Sequence, residues 1–89
     1  MIVHRLKHPV VQRGIHLTAL TLRRPTPADR SSIAYAAARD GAESNISRIP
    51  YLIAQLADLP VDVVRKLSRS DAQKIAWDAH KLFQDAVLV

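Results

Sequence analysis

The adjacent pair Arg23 and Arg24 is the part of this chain best suited to chemistry, and that chemistry is recognition. A guanidinium grips a carboxylate through two parallel hydrogen bonds, so the pair could hold an acidic partner. It could instead serve the fold, pairing with Asp29 or binding carbonyls where a strand meets a helix. His4, His8, His16 and His80 invite a metal reading. His4 and His8 would stand about 13 Å apart along one strand, however, too far to share an ion. No hairpin register sets two of the first three opposite one another, so all four read as solvated surface residues and no metal is expected. Neither catalysis nor a cofactor is expected. Asp58, Asp62 and Asp71 suit helix starts and polar faces, and the only glycines, Gly14 and Gly41, form no phosphate-cradling loop.

These residues need elements to hold them. Ile2, His4 and Leu6 alternate with Val3, Arg5 and Lys7, the period of a strand. Gln12-Arg13-Gly14 offers a turn, and a second strand is predicted over residues 15–23. Ile15, Leu17 and Ala19 fall on one face of it and Leu20 and Leu22 on the other, which a bulge near Ala19 would reconcile. Pro25 ends the strand, Thr26 reads as an N-cap, Pro27 suits the first helical position, and Asp29 completes a capping box. That helix is predicted over residues 27–39, stopping at Gly41, with Ile33, Ala34, Ala37 and Ala38 as a shallow apolar stripe.

Ser44 or Ser47 caps a second helix, in which Ile46, Ile49, Ile53, Leu56 and Ala57 repeat at helical spacing with Leu52 alongside. A Ser47 cap would leave Pro50 in the first turn, where proline is tolerated. A short helix over residues 61–67 follows Asp58-Leu59-Pro60. Ser70 and Gln73 form a capping-box pattern for the last helix, whose core face is Ala72, Ile75, Ala76, Ala79, Leu82, Phe83 and Ala86. Asp71 with Lys74 and Asp78 with Lys81 read as solvent-side pairs, and Trp77 lies off the stripe. The fold class is therefore α+β: one domain over residues 1–89, a two-stranded hairpin over 1–24 and three or four helices over 26–87.

The chain is 48% hydrophobic, which is enough to form a core, but much of that is alanine. With no cysteine, neither disulfides nor thiolate sites are available. No run is apolar and long enough to be a signal peptide or a membrane span, so a cytoplasmic protein with no membrane partner is expected. Charge is unevenly placed. Residues 1–30 hold Arg5, Lys7, Arg13, Arg23, Arg24 and Arg30 against Asp29 alone, while residues 31–89 balance seven basic against seven acidic groups. This marks either an anionic partner or exposed strands kept from aggregating. Nucleic acid is the disfavoured partner. Arg69, Lys74 and Lys81 could face phosphates from a helix-turn-helix, but Asp71 and Asp78 share their helix, and the basic strands lack stacking aromatics.

Residues 20–29, Leu-Thr-Leu-Arg-Arg-Pro-Thr-Pro-Ala-Asp, carry a family resemblance as well as a strand–helix junction. Together with His8-Pro9 and Gly14 before it, and Leu52-Ile53-Ala54-Gln55-Leu56-Ala57-Asp58-Leu59, Val63-Val64-Arg65-Lys66-Leu67 and Asp71-Ala72 after it, the series resembles the tail assembly chaperones of Mu-like contractile-tailed phages. Asp58 stands where that family commonly has glycine, and Pro50 interrupts a segment usually free of proline. The resemblance implies a small cytoplasmic protein of a bacterial host cell. It would bind the tape-measure protein, a long and largely helical chain, through an apolar groove. It also implies a longer form made by ribosomal frameshifting. Arg23, Arg24, Leu52, Leu56 and Trp77 are the candidate partner contacts, and the thin core points to a homo-oligomer with Leu52, Leu56 or Trp77 near its contact. The alternative reading is a small basic nucleic-acid-binding regulator.

Overall fold

Alternating side chains and a proline stop make the N-terminal third a hairpin, and capped apolar repeats make the rest helical. The computed structural model describes residues 1–12 and 14–87. Arg13 of the expected turn and the apolar tail residues Leu88 and Val89 lie outside the described residues, as do the side chains of Ala86 and Val87. Strands β1 (Ile2–Gln12) and β2 (Ile15–Leu22) pair antiparallel, followed by α1 (Pro27–Arg39), α2 (Asn45–Ala57), α3 (Val61–Val64) and α4 (Arg69–Val87). This is the α+β architecture of a hairpin followed by helices. The third helix is a single turn, shorter than expected.

The hairpin register is broken, and the break is built from β1. Arg5 pairs with Ala19 and Val10 with Leu17, so Leu6, Lys7, His8 and Pro9 together face only Thr18. The irregularity lies beside Ala19, but the extra residues belong to the first strand rather than the second. Pro9 has no N–H to give a ladder, which suits it to this stretch. The break brings Leu17, which strict alternation would set on the face opposite Leu20 and Leu22, across from Val10 and against the core. In that core Leu6, Val10, Leu20 and Leu22 meet Ile53 and Leu56 of α2 and Ile75 and Ala79 of α4, which together cover one face of the hairpin.

Helix α1 packs outside α2 rather than on the sheet. Its buried apolar residue is Ala37, with Ile33 and Ala36 partly covered, while Ala34 and Ala38 of the expected stripe are exposed. Opposite Ala37 sits Tyr51, whose hydroxyl donates to Asp40 (2.8 Å) and accepts from Arg65 (2.8 Å), tying α1, α2 and the segment after α3 together. The Tyr51 hydroxyl holds the Asp40 carboxyl below its ordinary range, and Asp40 in turn raises the Tyr51 hydroxyl.

Local chemistry explains the helix ends. Thr26 N–H donates to Asp29 Oδ2 (2.6 Å), and Gly41 takes a φ of 78° just past the end of α1. At α2, Ser44 rather than Ser47 is the cap, with its hydroxyl accepting the Ser47 N–H at 3.0 Å. Pro50 therefore falls in the second turn, where it has no N–H to offer the Ile46 carbonyl. Asp58 closes α2 in the left-handed region at φ 54°. Glycine enters that region freely and a side chain does so at a cost. An Asp58→Gly variant should accordingly be more stable than Asp58→Ala by about 1 kcal/mol. Equal urea midpoints for the two would show that the backbone there relaxes.

Candidate functional site

Two carboxylates at helix starts fasten the hairpin to the helices, and each occupies the third helical position. In α1, Asp29 receives Arg23 Nη1 and Nη2 through one bond to each oxygen (2.8 Å each), and Gln55 Nε2 at 2.9 Å. Arg23 Nη2 also donates to the Gln55 carbonyl (3.2 Å), and the Arg23 N–H to that of Leu56 (3.0 Å). The Arg23 guanidinium draws the Asp29 carboxyl far below the ordinary carboxylate range, against the opposing effect of burial and with help from Gln55 and Thr26. In α4, Asp71 accepts the backbone N–H groups of Lys7 and His8 from the irregular stretch of β1, at 3.1 Å each. Ser68 caps this helix, its hydroxyl accepting the Asp71 N–H (3.2 Å) and donating to Oδ2 (2.9 Å). Burial pushes the Asp71 carboxyl up, yet the His8 and Lys7 N–H groups and the Ser68 hydroxyl outweigh it and lower it overall.

This corrects several expectations. The cap is Ser68, not Ser70, and Asp71 is buried against β1 rather than paired with Lys74 on the wet side. Asp78 lies 2.8 Å from His4 Nε2 instead of pairing with Lys81. That contact has an ion pair's distance but not the direction of a hydrogen bond. His4 is thus a largely covered residue, whereas His8, His16 and His80 are exposed.

The five candidate contact residues do not converge on one site. Arg23 is engaged with Asp29, and Leu56 is 1% exposed in the core. Arg24 is exposed beside Met1, Leu82 and Asp85. Trp77, 72% exposed, stands on the outer line of α4 next to Lys74 and Asp78. Leu52 opens onto a depression between three helices.

That depression is a groove of about 680 Å³ between α1, α2 and α4. Its floor is one stripe of α2, with Asn45, Arg48, Ile49 and Leu52 at helical spacing. Arg30 and Ile33 form the α1 wall, and His80, Phe83 and Gln84 the α4 wall. The Arg30 guanidinium sits 5.6 Å from the Phe83 ring centroid, joining the two walls at one point. Ile46 and Ile49, on the same helical repeat as the buried Ile53 and Leu56, are 79% and 36% exposed. The apolar stripe of α2 is buried over Ile53 and Leu56 and then continues past the core into the open groove. No helix of the described residues is long and apolar enough to cross a membrane, so this surface is not a spanning segment. Arg30 and Arg48 were not singled out as site residues, and Phe83, expected on the core face of α4, instead lines the groove. The available signal was the number of large apolar residues on α2, more than a hairpin and one neighbour can cover.

A family model described as phage tail assembly chaperone proteins, E, or 41 or 14, matches residues 3–84. No curated protein and no solved structure matches the chain.

Proposed function

The chain belongs to the phage tail assembly chaperone family, and from that premise we propose that it binds its phage's tape-measure protein without catalysing a reaction. On this reading it works in the bacterial cytoplasm, holding an apolar segment of that protein before tail-tube subunits assemble around it. The observation that carries the proposal is the unburied half of the α2 stripe, where Ile49 and Leu52 floor a groove walled by two other helices. An amphipathic client helix laid there would cover surface the chain cannot cover itself. Self-association near Trp77 and a longer frameshifted product belong to the same proposal.

Co-expression tests it. The tape-measure protein should become more soluble with the chain than without it, and the two should co-elute. Ile49→Asp places a charge on the groove floor without touching the core, and should weaken the complex at least about tenfold, the effect of withdrawing one buried aliphatic side chain. Unchanged solubility and elution with the parent chain would remove the client reading. A lone monomer at hundreds of micromolar would remove self-association.

A further inference from the structure

We propose that the groove selects an amphipathic α-helix whose apolar stripe is flanked on both sides by Asp or Glu. This rests on the groove being the client site and adds the chemistry of the segment it takes. The shape argues for a helix. Floor and walls are themselves helices whose backbone groups are bonded internally, so they offer no ladder to an extended strand. An occupant must satisfy its own backbone, and a helix does. α1 and α2 are 13 residues each, about 20 Å long, so three turns of a partner lie along them.

The charge argues for acidic flanks. Arg30 stands on one wall, Arg48 at the floor's edge and His80 on the opposite wall, and among the described residues no Asp or Glu lines the groove. Three guanidiniums are engaged within the fold, Arg23 with Asp29, Arg39 with Asp40 and Arg65 with Tyr51. Arg5, Arg24 and Arg69 are exposed away from this groove and its apolar floor. Among the described residues neither Arg30 nor Arg48 meets a carboxylate. Arg30 lies over Phe83, and Arg48 Nε donates to the Ala42 carbonyl at 3.3 Å. Each keeps donors for a bidentate carboxylate partner at the border of an apolar floor. A nucleic-acid strand would need a continuous row of cations and gains nothing from Ile33, Ile49 and Leu52.

Two synthetic helical peptides with the same leucine stripe test this, one flanked by Glu and the other by Lys, titrated by fluorescence anisotropy. The Glu peptide should bind at least about tenfold tighter at low salt, with the gap narrowing as salt rises. Arg30→Glu with Arg48→Glu, both exposed and so tolerated by the fold, should reverse the preference, with an unchanged circular dichroism spectrum. Equal affinity for the two peptides, a preference that survives the double reversal, or displacement of the Glu peptide by duplex DNA at equal concentration would overturn the inference. Tape-measure solubility in the same strains separates the two layers. If it rises while the peptides bind equally, the acidic rule falls and the client reading stands. If the Glu peptide binds selectively while solubility is unchanged, the client reading falls and the rule stands.

Discussion

An Asp29→Ala variant is expected to lose about 3 kcal/mol of stability, the lower end for breaking a buried ion pair. Asp29 is 4% exposed, and its removal strands the Arg23 guanidinium, the Gln55 amide and the Thr26 N–H together. Against the 5–15 kcal/mol typical of whole domains, that is a large share, and it should lower the melting temperature by about 12–24 °C. Replacing both partners, Arg23→Leu with Asp29→Leu, should recover part of the loss, since no charge is then left unpaired. A loss under about 1 kcal/mol in Asp29→Ala would mean that water replaces the network freely.

The same pair sets the acid response. The folded state depresses the Asp29 carboxyl, chiefly through Arg23. A group whose pKa is lowered by folding contributes its full stability above the unfolded value, near 3.9. The contribution is lost as pH falls from there toward the folded value. The melting temperature should be flat near neutrality and drop below about pH 4, and Asp29→Ala should flatten that acid limb.

Asp71→Ala is expected to cost about 2 kcal/mol, from two charge-assisted hydrogen bonds at a partly solvated site plus a helix cap. Its signature is local. Hydrogen exchange at the Lys7 and His8 amides should lose protection ahead of the α2 amides, because those two N–H groups give their bonds to this carboxylate. Asp71→Asn keeps one acceptor oxygen and should restore part of both effects. If the midpoint falls while the Lys7 and His8 amides keep their protection, Asp71 acts as a cap alone. Its depressed carboxyl adds to the acid limb with the same sign as Asp29.

What the sequence disclosed was local, and what it hid depended on distant partners. Thr26, Pro27, Asp29 and Gly41 signal the bounds of α1 because capping is settled within a few residues. The cap of α4 was read as Ser70 with Gln73, whereas the structure uses Ser68 with Asp71 at the same spacing. The choice is made by a stretch of β1 more than sixty residues away, which needs a carboxylate. Helical spacing put Ile46, Ile49, Ile53 and Leu56 on one repeat. Of these, Ile53 and Leu56 (the latter expected as a partner contact) lie in the core, while Ile46 and Ile49 do not. Periodicity gives the face a helix turns inward but not how far its neighbours extend along it. That missing extent is the groove. Arg23 was legible as either a partner contact or a fold contact, and its bidentate geometry with Asp29 belongs to the fold.

The carboxylate of Asp71 meets amides 63 and 64 residues upstream, which imposes a calendar on synthesis. The hairpin leaves the ribosome before one of its fasteners and before α4, which helps cover its inner face. Within α4, His80 and Phe83 of the groove wall follow Asp71 in the chain. A nascent chain halted before those residues has the floor of the groove and one side, and an apolar strip with nothing to clasp it. Closing so long a loop adds little entropy beyond closing a short one, so the delay is one of translation and not of search. The walled groove thus comes into being as a late event in the making of the molecule, and a half-made copy lacks it.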